Sequence, residues 1–163
     1  MKGIKRVLFI CYANTCRSPA AEHLARHYAK KHNLSYVSFS SAGWHDAFEF
    51  AQPETINYVK QKGIDMSSFR PTTITKEILE NQDLIIGMEK FHLLKVRHKF
   101  KELREQLRDK MYTLKQFNGA DKRDYNIPDP YMTGFENYNR IMQIVEENVE
   151  KLVKKIAKIN TSQ

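Results

Sequence analysis

No apolar run in this chain approaches the ~20 residues that a membrane-spanning helix needs, so membrane insertion is not expected. Cysteine is nearly absent: Cys11 and Cys16 are the only two in 163 residues. They make no disulfide framework, and their spacing is not the Cys-x-x-Cys of a thiol redox protein. Glycine and proline are sparse, six and five, and they are scattered. No linker, repeat or low-complexity stretch divides the chain, and residues 1–163 read as one domain. The segment Met1-Lys2-Gly3-Ile4-Lys5-Arg6 leads into a few apolar residues and then a polar loop, so no signal peptide is expected and the predicted location is cytoplasmic. The chain is 41% hydrophobic and 28% charged, with a formal net charge of +8. That usage is globular and excludes a wholly disordered chain. The surplus of cations predicts an anionic partner, which charge alone leaves open among nucleic acid, an acidic membrane surface and a phosphate-bearing substrate.

Strand and helix signals alternate. Val7-Leu8-Phe9-Ile10 is a buried-strand run. After a polar loop, Ser18 reads as an N-cap and Pro19 as the first residue of a helix. That helix carries Ala20, Ala21, Leu24, Ala25 and Tyr28 at helical spacing and ends near Lys30-Lys31. Tyr36–Ser40 alternates as a second strand, ended by Ser41-Ala42-Gly43. Pro53–Lys62 predicts a helix stopped by Gly63. Thr75 caps a short helix through Glu80, and Leu84–Met88 is a third buried strand. Helical segments follow on both sides of residue 100, and Met111–Leu114 supplies a fourth strand. The last helix shows one apolar stripe from Phe135 through Tyr138, Ile141, Val145, Val149 and Leu152 to Ile156. The alternation predicts an α/β fold: a four-stranded parallel sheet with helices on both faces. Ligands of such sheets bind at the carboxyl ends of the strands.

One loop at such an end carries chemistry. Cys11-Tyr12-Ala13-Asn14-Thr15-Cys16-Arg17-Ser18 joins the first strand to the first helix. Unpaired backbone N–H groups and the helix dipole suit it to a phosphate-like dianion. Cys11 stands at its mouth, where that field and Arg17 favour the nucleophilic thiolate. Arg17 offers a planar fork to two phosphate oxygens, and Ser18 can hydrogen-bond the sulfur. The loop has no glycine and no Gly-Lys-Ser/Thr, which excludes a Walker phosphate loop. The bland alternative for Cys11, a small buried hydrophobe, does not explain the conjunction of strand, cysteine, arginine and helix start. Cleavage of a phosphate ester also needs a proton donor, and composition does not select one. Asp129, between Pro128 and Pro130, is locally stiffened, although Asp-Pro is also a common turn. Asp124 is the fallback.

The stretch Cys11–Pro19 resembles the loop of the low-molecular-weight protein tyrosine phosphatase family, which includes the related protein arginine phosphatases. The likeness continues in Ser40-Ser41-Ala42-Gly43, Gly63-Ile64-Asp65, Ile74-Thr75, Leu84–Met88 and Asp129-Pro130-Tyr131, nearly the whole chain in order. The resemblance implies hydrolysis of phosphotyrosine on proteins through a phosphocysteine intermediate. In that reading Cys11 is the nucleophile, Arg17 binds the phosphoryl oxygens, and Asp129 is proton donor and then base for water. Tyr12, Ala13, Asn14, Thr15, Cys16, Ser18, Trp44 and Tyr131 bind substrate, and Ser41 supports the loop. No metal or cofactor is implied. The partners implied are a phosphorylated protein or peptide, with phosphate, sulfate or vanadate as active-site anions, no nucleic acid, and a monomeric enzyme.

Three departures from the family pattern bear on substrate. Ala13 stands where glycine is usual, Phe69 where a histidine often supports the loop asparagine, and Thr15 where tyrosine phosphatases carry a bulky aliphatic residue. Thr15 resembles the arginine phosphatases, so phosphoarginine is the alternative substrate; Tyr131 and Trp44 favour an aromatic one. An arsenate reductase would need further cysteines downstream, and none follows Cys16. Cys16 is either a buried filler or a partner for a reversible disulfide with Cys11. A last alternative is a basic, non-catalytic binding module built on Lys95, Arg97, Lys99, Lys101, Arg104, Arg108 and Lys110, although no RNA-binding signature accompanies them.

Overall fold

The architecture is that of a computed structural model, which describes residues 3–163; Met1 and Lys2, on which the signal-peptide expectation begins, lie outside it. Strand β1 (Arg6–Cys11) leads through the loop into α1 (Arg17–Lys31) and returns in β2 (Ser38–Gly43). Helices α2 (Pro53–Lys60) and α3 (Lys76–Glu80) precede β3 (Leu84–Gly87). Then come α4 (Lys90–Lys99), α5 (Arg104–Leu107), β4 (Met111–Thr113), α6 (Leu114–Phe117) and the long α7 (Phe135–Thr161). All strand pairs are parallel, in the order β2-β1-β3-β4. The chain leaves β1 toward one edge and crosses back for β3 on its other side. The carboxyl end of β1 is therefore the switch point where a crevice opens.

The sheet is covered on both faces, and strand parity decides which residue meets which helix. Val7, Phe9 and Cys11 pack with α1 and α7 in one cluster. Leu8 and Ile10 pack with residues of α3, α4 and α5 in the other. Every residue of β1 after Arg6 is buried, which is why the run reads as continuously apolar. The stripe on α7 is buried from Tyr138 to Ile156, but Phe135, read as its first member, is 73% exposed.

Several boundaries differ from expectation: α2 ends at Lys60 rather than Lys62, β3 at Gly87 rather than Met88, and β4 at Thr113, with Leu114 opening α6. Strand β2 spans Ser38–Gly43 rather than Tyr36–Ser40, because its register with β1 runs from Arg6↔Ser38 to Cys11↔Gly43. Pairing with a buried central strand outweighs the weak β preference of the serines. Helix α1 is capped at Cys16, not Ser18, and no side chain caps it. Its first N–H groups thus stay free of any side-chain acceptor.

No helix among the described residues is long and apolar enough to cross a membrane.

Candidate active site

The loop from Cys11 to Ser18 is held from behind by a few specific contacts. Asn14 sits at φ +56°, a left-handed conformation that asparagine tolerates better than most residues. Its amide Nδ2 donates to Ser18 Oγ at 2.8 Å, and its Oδ1 accepts from the Thr72 backbone N–H at 2.9 Å. Ser18 Oγ lies 2.9 Å from Cys11 Sγ. Because that oxygen already accepts from Asn14, its own proton is free to point at the sulfur. Ala13 is not among the positive-φ residues, so the methyl group where glycine is usual imposes no backbone strain. Glycine is needed instead at residue 43, where a Cβ would come within 2.6 Å of Asn14 N and 2.7 Å of the Ala13 carbonyl carbon.

Arg17 is 1% exposed. It donates to the Glu89 carboxylate and to the Ile127 carbonyl, the latter at 2.7 Å. Its Nη2 lies 3.8 Å from Asp129 Oδ2. Its Nε is buried without any hydrogen-bond partner. A buried guanidinium N–H normally finds an acceptor, and this one has room for one. Glu89, which the sequence reading missed, caps α4 in a reciprocal box with His92. Burial, then the nearby charges of Arg17 and Lys95, push His92 down to about 3, so it is a neutral acceptor for the Glu89 N–H. The available signal was an acid placed directly after the third strand, at the sheet end that binds ligands.

These groups surround a cavity of about 240 Å³. Cys11, Thr15, Cys16 and Arg17 line it, and Asp129 joins them. Its aromatic lining is Tyr12, His45, Phe48 and Tyr131. Tyr12 stacks on His45 at 5.4 Å between ring centroids, and Phe48 tilts against Tyr131 at 5.6 Å. Nothing in the local sequence distinguishes His45 and Ala47 as lining residues. Cys16 is buried, and that burial raises its thiol to about 11. Thr55 Oγ1 donates to the Cys16 carbonyl at 3.1 Å and lies 2.6 Å from the Tyr138 hydroxyl. Residues of α2 and α7 thereby tie down the end of the loop.

Several expected residues lie elsewhere. Trp44 does not line the cavity: it follows Ala42 at strand parity onto the α4 face, stacks on Phe100 and donates Nε1 to the His92 carbonyl at 3.2 Å. Ser41 does not reach Asn14; its hydroxyl donates to Glu22, which is buried beside it. Phe69 packs edge-on against His23 at 5.5 Å, and the Thr72 N–H serves Asn14 in its neighbourhood. Asp124 pairs with Lys115 at 2.6 Å, so the fallback acid is engaged outside the cavity.

A thiol facing a cradle of free backbone donors, with an arginine proton left for an anion, is the arrangement of enzymes that pass a phosphoryl group through cysteine. Sequence and structure comparisons narrow that class. Residues 6–162 match the family described as low molecular weight phosphotyrosine protein phosphatase, and the chain belongs to it. It is accordingly a phosphoric monoester hydrolase. It is similar to the protein-arginine-phosphatase of Bacillus subtilis (strain 168), 29% identical, covering 93% of this chain and 97% of the relative. It is also similar to the low molecular weight protein-tyrosine-phosphatase YfkJ of the same organism, 30% identical, covering 93% and 96%. The YwlE arginine phosphatase structure from Geobacillus stearothermophilus superposes with a TM-score of 0.84 at 29% identity, covering 98% of this chain and 97% of that one.

Proposed function

We propose that residues 1–163 form one cytoplasmic, monomeric catalytic domain that removes phosphate from phosphotyrosine on proteins through Cys11. The observation that carries this reading is the meeting, in one cavity, of Cys11, an Arg17 whose Nε lacks a partner, and Asp129. The Cys11 thiolate attacks phosphorus, and Asp129 protonates the leaving oxygen. Water activated by Asp129 then cleaves the phosphocysteine and regenerates the thiolate. Arg17 and the loop amides hold the equatorial oxygens through both steps. Ser18 stabilises the sulfur as leaving group. Two free thiols suit a reducing compartment.

The aromatic lining favours a flat phenolic ester. Phosphoarginine is the second reading, and Thr15 supports it: the residue is 2% exposed, lines the cavity, and puts a hydroxyl where an aliphatic side chain would make the wall apolar. Assay of phosphotyrosine and phosphoarginine peptides with wild type, Cys11→Ser and Thr15→Ile tests both. We expect vanadate-sensitive turnover that Cys11→Ser abolishes and a phosphotyrosine preference that Thr15→Ile leaves intact. Full activity of Cys11→Ser would overturn the mechanism. A phosphoarginine preference that Thr15→Ile removes would replace the substrate.

A further inference from the structure

Trp44, turned away from the cavity, has two ammonium groups over its ring. Lys95 Nζ lies 5.2 Å and Lys99 Nζ 5.7 Å from the ring centroid. Lys95 also lies 5.8 Å from the half-exposed Phe91 ring, and Lys99 5.7 Å from Phe100. Neither lysine has a carboxylate within ion-pair distance among the described residues. The neighbouring acids are committed: Glu89 to Arg17 and Glu102, at 3.9 Å, to Lys76. Two like charges over one indole repel each other. The aromatic faces hold the two side chains in place, so their ordering cost is met before any anion arrives.

The position of this pair matters as much as its charge. Trp44 adjoins His45, whose ring stacks on Tyr12 in the cavity lining, and the N–H groups of both residues donate to the Tyr12 carbonyl. Lys95 sits on α4, the helix whose cap residue Glu89 holds Arg17. The lysines thus lie beyond the Tyr12 side of the cavity, past His45 and Trp44, where a polypeptide extended from the cavity at about 3.3–3.6 Å per residue arrives within a few residues. Residues 95–108 hold six cations against two carboxylates, a surplus of four and half of the chain's net +8.

We infer that Trp44, Lys95 and Lys99 form a subsite for an acidic side chain of the substrate polypeptide, about three to five residues from the phosphorylated one. The inference rests on the phosphatase reading, which brings a polypeptide to this place. RNA fits less well. Bases need an open aromatic face, whereas this indole is stacked on Phe100 and covered by the ammonium groups.

The test uses phosphopeptides of whichever class, phosphotyrosine or phosphoarginine, is turned over faster, identical except for Glu or Ala at positions three to five from the phosphorylated residue. Wild type and the double variant Lys95→Glu/Lys99→Glu are compared on them and on p-nitrophenyl phosphate. The expected result is a kcat/KM for wild type roughly 5- to 20-fold higher on the acidic peptide at low salt. That preference shrinks at high salt and is lost or reversed in the variant, while kcat/KM on p-nitrophenyl phosphate is unchanged. Equal rates of wild type on the two peptides would overturn the subsite, as would a preference that survives in the double variant. RNA retention that the variant loses, with no peptide preference in wild type, would assign the patch to nucleic acid instead. Failure of the phosphatase reading is separate: it appears as absence of Cys11-dependent turnover on every substrate.

Discussion

Residues 14–18, at the floor of the cavity, are each at most 5% exposed, whereas between residues 128 and 135 only Pro130 is buried. The floor is held by contacts from distant parts of the chain: Thr72 on Asn14, Glu89 and Ile127 on Arg17, Thr55 on Cys16. The Asp129 segment is held mainly by its own turns. Asp129 Oδ1 accepts from the Tyr131 N–H at 3.1 Å, and Thr133 Oγ1 donates to the Pro130 carbonyl at 2.6 Å. Met132 at φ +57° and Gly134 at φ +90° turn the chain into α7. The contrast follows from the work proposed for each segment. Donors that meet a dianion lose least when they are fixed beforehand. A group that exchanges protons with a leaving group and with water must face solvent.

The sharpest way to break this contrast is Asp129→Asn. If the exposed segment contributes chemistry and little structure, turnover of a phosphotyrosine peptide falls by roughly 10²–10⁴-fold. The thermal midpoint stays within about 2 °C of wild type, since exposed substitutions usually change stability by less than ~0.5 kcal/mol. The loss is much smaller on p-nitrophenyl phosphate, whose leaving group needs little help from an acid. An equal loss on both substrates would remove Asp129 as proton donor.

Gly43→Ala probes the floor from behind. The added methyl would meet Asn14 and Ala13 backbone atoms at 2.6–2.7 Å, and neither can swing aside as a flexible side chain would. We expect a loss of about 1–3 kcal/mol of stability, seen as a fall of roughly 2–12 °C in the thermal midpoint. Activity should fall together with stability, because the displaced atoms belong to the loop between Cys11 and Ser18 that is proposed to hold the phosphoryl group. Unchanged stability with normal turnover would show that the floor yields more easily than its packing implies.

The same contrast explains what could be read in the sequence. The order of strand, loop and helix around Cys11, the stripe on α7 and the stiff Asp129-Pro130-Tyr131 are local signals, each set by neighbours within a few residues. The pairing of Arg17 with Glu89 was not legible, because it joins residues 72 apart through the crossing of the chain over the sheet. Ser18 carries two readings from sequence, a cap ahead of Pro19 and a partner for the Cys11 sulfur; its hydroxyl takes the second and leaves the helix start open. The family resemblance places Trp44 among the substrate-binding residues. Strand parity sends it with Ala42 to the α4 side, while His45 takes the place beside Tyr12.

The smallest predicted effect concerns the support beneath Arg17. His92 is 1% exposed and held near 3 in the folded protein, against an ordinary 6.5. Between those values the unfolded chain binds a proton that the folded one does not, so stability falls as pH drops through 6.5 and is nearly unaffected by this group above about pH 7.5. The slope is at most about 1.4 kcal/mol per pH unit. Glutamine at position 92 keeps an acceptor for the Glu89 N–H but does not titrate. Urea unfolding of wild type and His92→Gln at pH 7.5, 6.5 and 5.5 separates this group from all others, because their titrations are common to both proteins. The expected result is a difference in unfolding free energy that moves against wild type by about 0.4 kcal/mol between pH 7.5 and 6.5 and by about 1 kcal/mol more by pH 5.5. Parallel curves would mean that His92 takes up its proton in the folded state, next to Arg17, and that the floor is less sealed than its burial indicates.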